Sequence, residues 1–244
     1  MSASRPSSVV RAGGLAPLSL SATTASRVAA DLRHRILAGE LRPGQRLKLD
    51  ELAAQCEVSH MPVREALREL EGEGVLEVVP HRGATIRGVD ERFVGNFYDV
   101  RAALEGMLSG RCAERIGADG LAELEHAAGD VEASVARDDA AGVVAANRRF
   151  HDVINAAADN PEALRMLARG RVLADALRLR FGYGAGRAKS IVAEHAALVR
   201  AMRKRDPARA AEIARRHCMR ARDDLLARLK EHPPQVGLAR PFVE

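Results

Sequence analysis

Two groups of side chains in this sequence combine residue type and spacing in a way that can do chemistry. The first lies on Ser59-His60-Met61-Pro62-Val63-Arg64-Glu65-Ala66-Leu67-Arg68. If this stretch is helical, with Val63, Ala66, Leu67 and Leu70 turned inward, His60, Arg64 and Arg68 share the outward face. An arginine there can bond guanine O6 and N7 bidentately in a major groove. Ser59, at the helix start, can offer its hydroxyl and neighbouring N–H groups to a phosphate. The plain alternative is a solvated face on which Arg64 and Arg68 pair with Glu65, Glu69 and Glu71. The second group is Asn147 with His151 four residues on, together with His195 and His217. Three imidazoles and one amide oxygen from three helices could converge on a divalent transition metal, most simply zinc, with nickel or manganese as alternatives. Only Asn147 and His151 are neighbours in sequence, so spacing alone leaves ordinary core or surface histidines open.

Elements must position these groups. Residues 1–21, rich in Ser, Ala, Gly and Pro, read as a disordered leader, without the apolar core of a signal peptide. From Thr23, Val28, Leu32 and Ile36 recur at helical spacing up to Gly39. Pro43-Gly44 makes a turn, Leu49 to Cys56 a short second helix, and Ser59 caps a third with Pro62 in its first turn. The period then falls to that of strands. Val75 to Val79 and Ala84 to Arg87 flank Pro80-His81-Arg82-Gly83, a hairpin whose tip can touch phosphate or a minor groove through Arg82. Three helices and a hairpin describe a winged helix-turn-helix over residues 22–89.

Beyond Asp90 helices dominate, expected near 91–116, 119–136, 139–158, 161–181, 187–205 and 207–230. Asn160-Pro161 and Asp206-Pro207 mark two of the starts. Six helices over residues 91–230 predict an all-α bundle, followed by a Pro-containing tail at 231–244. The fold class is therefore mainly α, a winged helix-turn-helix followed by a helical bundle. Gly182 to Gly186 looks like a phosphate loop only superficially, since no strand precedes it and no GK[ST] follows.

Composition narrows the function without choosing it. Hydrophobic residues make up 47% and charged residues 29%, a globular balance. No apolar run has the length of a membrane span. The formal charge is +5 but spread, with 12 basic and 11 acidic residues in 1–90 and 26 and 22 beyond, so a DNA site needs local placement of arginine. Cys56, Cys112 and Cys218 are odd in number and widely spaced, which excludes a disulfide framework and favours a reducing cytoplasm.

The run from Leu41-Arg42-Pro43-Gly44 through Val58-Ser59-His60-Met61-Pro62-Val63-Arg64-Glu65-Ala66-Leu67 to Gly74 and Arg82-Gly83 resembles the DNA-binding domain of the GntR family of bacterial transcription regulators. That resemblance covers about residues 22–88. It implies that Ser59, His60, Pro62, Arg64, Arg68, Arg82 and Gly83 form the DNA-contacting surface. The family usually has arginine and threonine after the serine. His60 and Met61 depart from that pattern at the start of the helix.

Residues 91–230 are similar to the FCD effector-binding domain, through Tyr98-Asp99-Val100-Arg101, Leu104-Glu105, Phe150-His151, Asn160, Glu194-His195 and His217. The resemblance implies a metal held by Asn147, His151, His195 and His217, with asparagine where aspartate is commoner. It also implies a small carboxylic acid beside the metal, paired by Arg101, although Arg101 can equally form a helix ion pair with Glu105. Arg148 and Arg149 are further candidates.

The function expected is a ligand-responsive regulator, a repressor, whose homodimer reads an inverted repeat in double-stranded DNA. A constitutive DNA-binding protein and a three-histidine metalloenzyme are the alternatives. No HExxH motif supports the enzyme.

Overall fold

The computed structural model describes residues 23–79 and 83–231. The expected leader, residues 80–82 of the hairpin tip with Arg82, and the tail from residue 232 lie outside those residues. Helix α1 (Thr24–Leu37) starts where the Thr23 hydroxyl accepts the Ser26 N–H at 3.1 Å, and it buries Val28, Leu32 and Ile36. Helix α2 (Leu49–Cys56) ends on Glu57 in the left-handed conformation, and α3 (His60–Gly72) follows after the Ser59 N-cap. Strands β2 (Leu76–Val79) and β3 (Gly83–Ile86) form the expected hairpin.

A third strand was not legible in the sequence. The two-residue strand β1 (Arg46–Leu47) pairs antiparallel with β3, giving the order β1-β3-β2. Gly83 permits that pairing. Its φ is +87°, and a Cβ placed there would lie 2.4 Å from the Leu47 carbonyl oxygen.

The chain from Arg87 to Asp90 has no regular structure, and the Asp90 carboxylate then caps α4 (Glu91–Arg115) by accepting the Phe93 N–H at 2.7 Å. Helices α5 (Ala118–Ala136) and α6 (Ala140–Ala158) follow. The helix expected over 161–181 is two helices, α7 (Pro161–Ala168) and α8 (Arg171–Phe181). The break falls at Gly170, whose φ of +72° ends the helical path. Its bare Cα faces the Phe93 and Phe97 rings, each 3.3 Å from where a Cβ would stand. Helices α9 (Arg187–Arg203) and α10 (Pro207–Glu231) complete the bundle, so the described residues hold seven helices beyond Asp90 rather than six.

Helix α10 packs along most of α4, and α5 lies against α6 and α9. The two halves of the chain share apolar core. One continuous cluster runs from Val28, Leu32, Leu67 and Leu70 through Val94 and Tyr98 to Leu173, Leu177, Leu225 and Leu229. Helix α8 is the bridge, packed on α1 by one side, while the Gly170 N–H donates to the Glu73 carbonyl at 2.7 Å. No helix among the described residues is long and apolar enough to cross a membrane.

Candidate metal centre and DNA-facing helix

Helix α3 presents the face its spacing predicts. Val63, Ala66, Leu67 and Leu70 are buried, while Ser59, His60, Arg64 and Arg68 are exposed and Pro62 is half-buried. Pairing with nearby glutamates does not occupy the arginines. Glu69 is held by Arg33 of α1 at 2.5 Å, and Glu71 accepts the Val78 N–H at 3.1 Å. Among the described residues neither Arg64 nor Arg68 has an ion pair. The Ser59 hydroxyl makes no capping bond. His60 differs from its neighbours: its Nε2 lies 3.2 Å from the Asp50 carboxylate of α2, so part of its bonding capacity is met within the protein.

The three histidines converge. His151 from α6, His195 from α9 and His217 from α10 are 5%, 1% and 5% exposed. One nitrogen from each lies within 4.8 Å of the others. His151 Nε2 and His217 Nε2 stand 3.3 Å apart. Both rings carry a carboxylate at the opposite nitrogen: Glu194 accepts from His217 Nδ1 at 2.7 Å, and Glu105 stands 3.5 Å from His151 Nδ1. A carboxylate at Nδ1 fixes the tautomer that leaves Nε2 with a lone pair, as ligating histidines require.

His195 is held differently. Its ring stacks on Phe150 with centroids 3.9 Å apart and planes 7° from parallel, and neither nitrogen has a hydrogen-bond partner. The Asn147 side-chain oxygen, on α6, is likewise buried and unpartnered. A buried imidazole with two unmet nitrogens and a buried unmet amide oxygen are costly unless something coordinates them. The donor set of three imidazoles and one oxygen fits a borderline divalent ion such as zinc.

Electrostatics agree with that chemistry. Burial, only partly opposed by Glu105, pushes His151 down to about 3, and burial together with the other two histidines pushes His195 well below its ordinary value. Both are therefore neutral, the form that binds metal. Burial raises Glu105 and Glu194, but their cationic and hydrogen-bonding neighbours outweigh it and hold both at about 2. For Glu105 the principal neighbour is Arg101, 2.6 Å away. For Glu194 they are His217, Arg220 and Arg187.

A cavity of about 60 Å³ opens beside the cluster, with Tyr98, Arg101, Asn147, Arg148, Arg171 and Arg187 in its wall. Arg101 pairs with Glu105 and still lines this cavity, so the ion pair does not withdraw it from the wall. Of the further candidates, Arg148 lines the cavity, whereas Arg149 pairs with Asp130 at 3.1 Å. The glycine-rich segment is a helix-to-helix connection that puts Tyr183 into the cavity wall.

Sequence reasoning missed Glu105 and Glu194 as orienting groups, and Arg171, Arg178 and Arg187 as wall residues. A signal existed for the acids: Glu105 falls in phase with Ala102 and Leu108, and Glu194 with Ile191 and Leu198, on buried helix faces. An acid at such a position needs a partner inside.

Comparison with known proteins places this geometry. Residues 24–86 match the profile of bacterial regulatory proteins of the gntR family, and residues 96–221 that of the FCD domain. The gluconate operon transcriptional repressor of Bacillus licheniformis is 38% identical over 103 residues, covering 42% of this chain and 40% of that protein. An uncharacterized HTH-type transcriptional regulator of Agrobacterium vitis is 31% identical over 144 residues, covering 57% of this chain and 84% of the other. Among solved structures, McbR/YncC of E. coli superposes with a TM-score of 0.68 at 25% identity, over 86% of this chain and 98% of that one.

Proposed function

Since the chain belongs to the GntR family of bacterial transcription regulators and carries an FCD domain, we propose that it is a ligand-responsive repressor whose affinity for an operator is set by a small carboxylic acid. Arg64 and Arg68 read base edges in the major groove, and Ser59 and the start of α3 meet phosphate, with His60 and Pro62 alongside. Gly83 opens β3, and Arg82, read from the sequence alone, adds a phosphate or minor-groove contact. Asn147, His151, His195 and His217 hold a divalent transition metal, most simply zinc. The bound ion supplies a Lewis-acid point of attachment for a carboxylate. Arg101 orients that carboxylate through a planar fork.

One observation carries the regulatory reading. Helix α8 lines the cavity with Arg171, Asp175 and Arg178, while Leu173 and Leu177 join the core shared with α1. An acid drawn against the cavity side of α8 acts on the same rigid element that seats the DNA-reading half. Glu105 and Glu194 are committed to Arg101, Cys218, Arg187, Arg220 and the histidines, which leaves neither as a free general base and speaks against a hydrolytic metal site.

The chain acts as a homodimer on an inverted repeat. Val100 and Met107 of α4 and Met166 of α7 are exposed, and this apolar surface suits a second copy. The test is fluorescence anisotropy of the zinc-loaded protein on an operator selected from random DNA, with and without a panel of short acids. The proposal requires one acid to change the operator Kd at least tenfold, with the change lost in Leu173→Ala. An operator affinity indifferent to every acid that the protein demonstrably binds would refute effector control.

A further inference from the structure

Five arginines line the cavity beside the histidines, and the structure divides them into two kinds. Arg178 pairs with Asp224 and donates to the carbonyls of Gly182 and Ala221 at 3.0 and 2.8 Å. Arg187 donates to Glu194 at 2.8 Å and to the His217 carbonyl at 3.2 Å. These two are fixed parts of the wall. Arg148 and Arg171, facing each other from α6 and α8, are held loosely. Arg171 reaches Asp152 at 3.4 Å and Asp175 at 3.9 Å, and Arg148 reaches the same Asp152 at 3.9 Å. Arg101 stands between the two kinds, with Glu105 as its ion-pair partner among the described residues. Burial, then repulsion from Arg148 and Arg101, makes Arg171 easier to deprotonate than a free arginine, so the three cations press on one another around the opening.

The wall carries no surplus of negative charge. Among its described residues five arginines stand against two lining acids, Glu105 and Asp175. Asp152, Asp224 and Glu194 lie outside the lining as partners of Arg148, Arg178 and Arg187, and Glu194 is shared with Arg220. The ligand set itself, three imidazoles and the amide of Asn147, contributes no negative charge. A divalent ion held there therefore keeps both positive charges in a buried place, where an uncompensated ion is expensive. The compensation has to arrive with the ligand.

We infer that the effector of this site is a short acid carrying two negative charges, one carboxylate directed to the histidine cluster and Arg101 and the second gripped by Arg148 and Arg171. This rests on the metal-and-acid reading above. The small cavity demands a compact skeleton, and the loosely held pair at its opening can exchange Asp152 for the incoming group without breaking a tight internal bond. In this chain Asn147 sets the requirement: an aspartate there would supply one of the two charges itself.

The experiment is titration calorimetry of the full-length zinc-loaded protein with succinate and with butyrate, which share a four-carbon skeleton and differ by one carboxylate. Succinate should bind at least about tenfold more tightly. In Arg148→Gln/Arg171→Gln the advantage should shrink to about threefold or less. Asn147→Asp should narrow it as well, and should raise zinc retention on dialysis when no acid is present. Equal affinities for the two acids in the wild type, or a ratio untouched by both variants, would overturn the inference while leaving the metal site standing. A protein that retains zinc and binds neither acid would overturn the acid reading beneath it. A protein that takes up no zinc, measured by elemental analysis, would overturn the metal reading.

Discussion

Replacing Glu194 by glutamine separates two jobs that one side chain performs. Its carboxylate accepts hydrogen bonds from His217 Nδ1 at 2.7 Å and from the Arg187 guanidinium at 2.8 Å, with both partners and Glu194 itself nearly closed to solvent. Arg220 also reaches it at 2.8 Å, but that side chain is 54% exposed and adds little. Glutamine keeps the shape and one acceptor, yet leaves Arg187 as a buried cation without a counter-charge. Breaking a buried pair from one side costs about 3–5 kcal/mol, and the retained acceptor puts this case near 3 kcal/mol. The imidazole loses the group that fixes its tautomer, which is worth about 10–100-fold in metal affinity. Urea denaturation of the metal-free protein reads the first effect, and zinc competition against a chelator reads the second. Adding Arg187→Met should restore most of the stability and none of the zinc affinity, since the stranded charge is gone and the tautomer is still unfixed. A single variant with wild-type stability and wild-type zinc affinity would refute the account of how this centre is built.

Arg64→Ala should cost about 1–3 kcal/mol on the true operator and flatten the preference at one base pair, read by anisotropy across single-base variants. Gly83→Ala should destabilise the winged half by about 1–3 kcal/mol, because its Cβ would stand 2.4 Å from the Leu47 oxygen in a positive-φ position. A urea midpoint unmoved by that substitution would show that β1 and β3 can part freely. Cys112 is fully buried, and burial pushes its thiol up to about 11, so a disulfide reagent at neutral pH should leave it untouched until the protein unfolds. Rapid labelling of Cys112 in the native state would contradict the packing described.

What the sequence disclosed depended on range. The outward face of α3 is local, set by apolar spacing over a few turns, and the side chains fall where that spacing puts them. Asn160 and Asp206 announced helix starts by the same local logic. The break between α7 and α8 escaped because a lone glycine within an apolar period is tolerated, and only the Phe93 and Phe97 rings beneath Gly170 show why the helix turns there. Strand β1 escaped because two residues carry no period. Glu194 is the clearest case: its neighbour in sequence is His195, yet it serves His217, 23 residues on, because α9 and α10 lie side by side. Chain order advertises a pairing that the fold does not make.

The apolar cluster that runs unbroken from α1 to α10 also bears on how this protein can be taken apart. A sensor joined to a reader by a flexible linker is modular: either piece can be cut away, grafted or exchanged. Here Leu32 and Leu70 share their interior with Leu173 and Leu225, so excising the first ninety residues would strip both pieces of part of their lining. The two halves should therefore melt in one transition, so that whatever tightens the helical bundle also tightens α3. Chimeras that swap the bundle for that of a relative would succeed only if the swapped surface under α8 is carried along, which ties the divergence of the bundle to that of the winged half.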